Sequence, residues 1–128
     1  MKDIFKKGDF KTHQFVVKEK DQATFNEKEL HQVCSTYKLG QEMEWSSRLF
    51  MLDIVEQDEE GVGTMLHIEH KSPAFVGETV SIIATFESFV ANELICNIEV
   101  KVADRLIAKG KTGQRLLKKD RLQQIFSR

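Results

Sequence analysis

The sequence predicts an α+β fold in which a curled antiparallel sheet of about five strands wraps a long central helix. Three observations predict it. Between Ser35 and about Val55 apolar residues recur at helical spacing. Nearly every later segment up to about Leu117 alternates apolar and polar residues with the period of a strand. The 128 residues, 41% of them hydrophobic, suit one core and leave no room for a second. A single domain over residues 1–128 is expected, with its core at about 8–117 and a polar tail at 118–128.

The elements follow in order. The first 34 residues are polar and mixed, with one strand candidate in KTHQFVVK; DQATFNEKELHQ after it reads as a short helical turn and a loop. The helix carries Leu39, Met43, Phe50 and Ile54 on one stripe, and Trp45, Leu49, Met51, Leu52 and Val55 widen it. Only Arg48 and Asp53 are charged between Trp45 and Val55, so other elements must wrap this helix. DEEGVG then marks a turn. In TMLHIEH, Thr64, Leu66, Ile68 and His70 share a face, as do Val80, Ile82, Ala84 and Phe86 in TVSIIATF. In LICNIEVKV, Leu94, Cys96, Ile98, Val100 and Val102 point inward. After a tight Ala-Asp connection comes RLIAKGKTGQRLL, where Gly110 and Gly113 weaken the strand or mark a bulge. Pro73 and Gly77 bracket the crossover between His70 and the strand that follows it. The tail places Leu122, Ile125 and Phe126 at helical spacing, which fits a short helix on a partner subunit or a frayed end.

Composition narrows the function. Nineteen basic and 20 acidic residues leave a formal charge of −1, so no overall field holds nucleic acid or an anionic membrane surface. No apolar run approaches the roughly 20 residues of a membrane-spanning helix. MKDIFKKGDF has no apolar stretch suited to a signal peptide, and a cytoplasmic location is expected. Cys34 and Cys96, far apart and without metal-ligand spacing, fit reduced thiols. Cys96 reads as a small core hydrophobe, whereas Cys34 lies near a helix start, where a thiol can be acidified. With no HExxH, Walker or GxSxG sequence, neither a metal nor a cofactor is expected.

Three residues stand out chemically. Thr36 and Glu44, eight positions apart, lie within about 80° of each other on a helix and can face one pocket. Thr36 stands at the helix N-terminus, where unpaired N–H groups and the dipole favour a developing oxyanion. Glu44, in the middle of the most buried helix, is a candidate functional carboxylate or an ion-pair partner of Arg48 four residues on. His70 closes its strand on the inward parity, as a candidate catalyst or a hydrogen-bonded core histidine. His67 falls on the outer parity; His13 and His31 read as surface residues. Gly61 and Gly63 mark a turn followed by a close backbone approach.

Together these residues resemble the fluoroacetyl-CoA thioesterase-like branch of the hotdog superfamily, from about Gly8 to Leu117. In VCSTYKLGQEMEW, Thr36 and Glu44 match that family's threonine and helix glutamate, the latter preceded by apolar Met43. In VGTMLHIEHKSPAFVGETV, Gly63 and His70 match its strand glycine and histidine, and the turn ends at Gly77. All the intervals from Thr36 to His70 agree without a gap. Two positions depart: Tyr37 stands where the family has proline, and Gln114, four residues after Gly110, where it has arginine, with Arg115 beside it on the opposite parity.

The resemblance implies a hotdog domain that hydrolyses a small acyl-CoA to the free acid and CoA. Thr36, Glu44 and His70 would be the catalytic group, and Gly63, Thr64, Gln114 and Arg115 the substrate contacts. Lys109, Lys111, Arg115, Lys118 and Lys119 are available for CoA phosphates or form a solvated charged face. Leu30, Val33, Tyr37, Met65 and Phe75 are candidates to line the acyl pocket. An open sheet edge is usually covered by pairing across a two-fold axis, so a homodimer is expected. A non-hydrolytic acyl-CoA binding module is the alternative, and a hotdog hydratase ranks last.

Overall fold

The computed structural model describes residues 1–25 and 28–127, and the side chains among these other than those of 24–31. Strand β1 (Phe10–Val16) leads through a short 3-10 turn (Glu19–Asp21) into β2 (Gln22–Phe25) and β3 (Lys28–Cys34). Helix α1 (Thr36–Ile54) follows, then strands β4 (Glu59–His70), β5 (Thr79–Val90), β6 (Glu93–Val102) and β7 (Arg105–Lys118), and helix α2 (Lys119–Phe126). Five strands form one antiparallel sheet in the order β1-β5-β6-β7-β4, while β2 and β3 pair separately.

Helix α1 starts where Ser35, in an extended conformation, accepts a hydrogen bond from the Lys38 amide through its side chain. Its buried stripe, with Leu39, Met43, Phe50, Met51 and Ile54, lies on the sheet. The sheet supplies Val80, Ile82, Ala84 and Phe86 from β5 and Leu94, Cys96, Ile98 and Val100 from β6, the alternation expected of strands covered on one face. A Cβ at Gly110 would collide with the His67 carbonyl and press on Met43 Cε; one at Gly61 would run into the Met51 side chain. Both glycines mark close approaches. Ala91 and Asn92, at φ 51 and 63, form the two-residue turn between β5 and β6.

Four expectations need correction. The segment expected as a helical turn and loop keeps only three residues of 3-10 turn; the rest pairs as β2 and β3, with Gln22 opposite Cys34 and two register shifts. Long-range anchoring fixes that hairpin, since the Cys34 amide donates to the Ala74 carbonyl and Val33 bridges to Phe75. Secondly, the five-stranded sheet packs on α1 as expected, but the apolar residues that widen its stripe are not all covered, for Trp45 and Leu52 stay exposed. Thirdly, the core begins before residue 8, for Phe5 packs edge-on to Phe50 at 4.9 Å and touches Phe86. Fourthly, a bulge between Gly63 and Met65 breaks the shared face expected for Thr64, Leu66, Ile68 and His70. The tail does form a helix: α2 buries Leu122 and leaves Phe126 exposed.

Candidate active site

The start of α1 and the end of β4 meet at one hydrogen bond. Thr36 is the first residue of α1 and His70 the last of β4, and Thr36 Oγ1 lies 3.0 Å from His70 Nδ1. His70 Nε2 is shielded from solvent and has no partner among the described residues. The reachable end of the pair is therefore the Thr36 hydroxyl, which is exposed at the first turn of the helix. Two turns on, Glu44 shares with Thr36 a cavity of ≈ 360 Å³ whose other walls are Tyr37, Gly40 and Gln41 from α1 and Leu66 and Ile68 from β4. Gly40 has a steric role here, because Leu66 Cδ2 comes within 3.0 Å of where its Cβ would stand. Glu44 Oε2 lies over Gly63, 3.6 Å from where that Cβ would be. An uncharged apolar floor thus faces one hydroxyl and one carboxylate.

Burial does not single out Glu44 as the sequence suggests, since the residue is exposed where α1 crosses the edge strand β4. The ion pair with Arg48 is not among the described contacts; Arg48 Nη1 instead donates to the Gly61 carbonyl at 3.0 Å. Of the four expected substrate contacts, Gly63 adjoins Glu44 and Gln114 lies on the helix-facing side of β7. Thr64 and Arg115 lie on the other side of the sheet. The bulge turns Thr64 outward across Gly113, so that its hydroxyl donates to Glu93 Oε2 at 2.8 Å, and Arg115 is exposed on that same face, opposite Glu93. Gln114 is buried, and its Nε2 donates to the Glu44 carbonyl at 3.3 Å and to Ser47 Oγ at 3.1 Å. Neither Gln114 nor Ser47 shows its contact in sequence, although a buried parity and a mid-helix serine were the available signals.

Other candidates separate from this cavity. Lys111 pairs with Glu87, and Lys118 with Asp58 and Glu59, so part of the basic set is already engaged by carboxylates. His13 is not a lone surface residue: Nε2 lies 2.6 Å from Glu42 Oε2, and Lys38 Nζ reaches the other oxygen of that carboxylate at 2.7 Å. Both cysteines are buried and free. Burial, reinforced by the Asp21 carboxylate, pushes the Cys34 thiol up to about 12, and burial pushes Cys96 to about 12 as well. The helix start thus does not acidify Cys34. The side chains of Leu30 and His31 lie outside the described residues. No cluster of metal-ligating residues occurs among the described residues.

The family model described as FlK, fluoroacetyl-CoA-specific thioesterase, matches residues 17–120. The chain belongs to the FlK family. Solved structures agree with that membership. A Thermus thermophilus hypothetical protein, a thioesterase superfamily member, superposes with a TM-score of 0.94 at 26% identity, covering 98% of this chain and 93% of that one. The fluoroacetyl-CoA thioesterase FlK itself gives 0.88 at 21% identity, over 98% and 97% of the two chains. A hot-dog-like protein from Thermanaerovibrio acidaminovorans gives 0.88 at 18%, over 95% and 90%. No curated protein matches the chain. The α+β architecture is thus the hotdog fold of the thioesterase superfamily, and Thr36, Glu44 and His70 of this FlK-family chain lie around one end of its helix and the adjoining strand.

Proposed function

We propose that the chain hydrolyses a small acyl-CoA thioester to the free acid and CoA. The observation that carries this is the 3.0 Å bond between Thr36 Oγ1 and His70 Nδ1 at a cavity that Glu44 also lines. A mutant of FlK has been solved in complex with fluoroacetate and CoA, which supports an acyl-CoA as the ligand class. The thioester carbonyl sits near the free amides of the first turn of α1, which stabilise the oxyanion as it forms. Water hydrogen-bonded to Thr36 passes a proton to Oγ1 while the Thr36 proton moves to His70 Nδ1, and the resulting hydroxide adds to the carbonyl carbon. The tetrahedral intermediate then breaks its C–S bond, and the thiolate of CoA recovers the proton along the same path. Glu44 orients the water across the cavity. Direct attack by Thr36 uses the same proton transfer and differs in leaving an acyl ester on Thr36, which mass spectrometry detects.

A homodimer completes this reading. Strand β4 is an open edge of the sheet, and Met65, Leu66, Trp45 and Leu52 are exposed apolar side chains on β4 and α1. Two buried, unpaired cysteines fit a reducing cytoplasmic compartment. To test the activity, purified protein is incubated with short, branched and aromatic acyl-CoAs, and thiol release is followed beside His70→Ala and Glu44→Ala. Turnover of at least one thioester that both variants lose is expected. Wild-type rates no faster than either variant on every substrate would sink the hydrolase reading and favour an acyl-CoA binding module.

A further inference from the structure

The position facing Glu44 from below is occupied by a buried carboxamide. Gln114 and Gly63 are direct partners in the β7–β4 ladder, and Glu44 touches both. The Glu44 carboxylate lies over Gly63, while its backbone carbonyl accepts from Gln114 Nε2 at 3.3 Å. Ser47 links the same groups: its hydroxyl donates to the Glu44 carbonyl at 2.9 Å and accepts from Gln114 Nε2 at 3.1 Å. A carbonyl only accepts, so it is the amide nitrogen, not the oxygen, that must face Glu44. Gln114 is 4% exposed, and a buried amide left without partners is costly, so its bonds to α1 hold the helix at that one turn.

We propose that Gln114 is a positioning residue: its bonds to the Glu44 carbonyl and the Ser47 hydroxyl fix the turn of α1 that carries Glu44, and so set where the carboxylate lies over Gly63. This rests on the hydrolase reading for its effect on turnover, though not for its effect on Glu44 itself. Arg48, the residue after Ser47, also ties α1 to the sheet by donating to the Gly61 carbonyl at 3.0 Å, but among the described side-chain contacts the Gln114 amide alone reaches the Glu44 carbonyl and Ser47 from the sheet. The neutral amide does so without bringing a charge that would need its own partner under the helix. A displacement of the catalytic group by about 1 Å is enough to slow a positioned reaction by roughly a hundredfold, so a small loss of anchoring has a measurable consequence.

The test compares Gln114→Met, which keeps volume and removes the donors, with Ser47→Ala, a smaller change at a buried position of the same turn. For each, kcat and KM are measured on the best acyl-CoA of the panel. In parallel the carboxyl carbon of Glu44 is followed by NMR in protein carrying ¹³C-labelled glutamate, the signal being assigned with Glu44→Gln. Gln114→Met is expected to lower kcat by about ten- to a hundredfold with KM within roughly twofold, and to move the Glu44 signal. Ser47→Ala should do the same to a smaller extent. Variants that melt lower but keep the wild-type kcat and the wild-type Glu44 signal overturn the proposal, because that is what a merely structural contact does. If wild-type protein hydrolyses no acyl-CoA, the hydrolase reading fails and the NMR signal decides alone: moved in Gln114→Met, the clamp stands; unmoved, it falls.

Discussion

Thr36 and His70 stand 34 positions apart in the chain and are joined by one 3.0 Å hydrogen bond. The surrounding backbone makes that meeting repeatable. The Cys34 amide donates to the Ala74 carbonyl at 2.8 Å just before α1, and the Lys71 amide donates to Ile107 at 2.7 Å just after β4. Both side chains are therefore carried on anchored ends rather than on free loops.

If the pair works as a unit, each half matters to turnover. His70→Ala and Thr36→Ala are expected to lower kcat/KM on the best acyl-CoA by roughly a hundred- to ten-thousandfold, the range for a general acid–base group. Thr36→Ser, which keeps the hydroxyl, should stay within about tenfold of wild type. Steady-state kinetics at saturating and limiting acyl-CoA measures all three.

Glu42 ties β1 to α1 and gives the fold an acid-sensitive contact. Its burial favours the neutral acid, but hydrogen bonds from Lys38 and His13, with their charges, outweigh this and hold the carboxyl below the ordinary value of 4.5. A lowered folded pKa contributes stability that is complete above 4.5 and lost as pH falls through the folded value. Glu42→Gln should therefore be less stable than wild type near pH 7, and the gap should narrow as the pH falls below 4.5. Urea unfolding of both proteins across that range measures it; a gap independent of pH would contradict the assignment.

Gly110 is a steric requirement of the β4–β7 ladder. Gly110→Ala would drive a Cβ into the His67 carbonyl, backbone that cannot swing aside. Destabilisation of about 3 kcal/mol or more is expected, which lowers Tm by roughly 10 °C in a chain of this size. A thermal melt within a few degrees of wild type would show that the two strands can part locally.

The cysteines should be chemically quiet. With both thiols pushed to about 12 by burial, neither reacts appreciably with a disulfide reagent in the native state at neutral pH, and both react once the protein is unfolded in urea. Rapid labelling of either in the folded protein would contradict the burial.

Periodicity made the helix and the four strands after it readable, because each buries a face whose period survives in sequence. Leu39, Met43, Phe50 and Ile54 lie on the stripe they suggest, and Leu94, Cys96, Ile98 and Val100 point inward as read. What stayed hidden depends on partners distant in the chain. Nothing local says that Gln22 pairs with Cys34, or that His13 meets Glu42 across 29 positions. The inward parity of β4 held for Leu66 and Ile68 but failed at Thr64, where one bulged residue reverses the face. Glu44 was noticed for burial, yet it is exposed at the open edge of the sheet, over Gly63. Gln114 was legible only as a departure from the family pattern; its contact with Glu44 comes from a ladder position 70 residues away.

The most direct test of the account is a double-variant cycle on thioester hydrolysis. Thr36→Ala, His70→Ala and the combined variant are compared with wild type by thiol release from the best acyl-CoA. Because one proton moves between the two side chains, the double variant should be no slower than the slower single variant, within about threefold. Losses that multiply fully, or a wild-type rate equal to that of the double variant, would contradict the claim that Thr36 and His70 act together on a thioester.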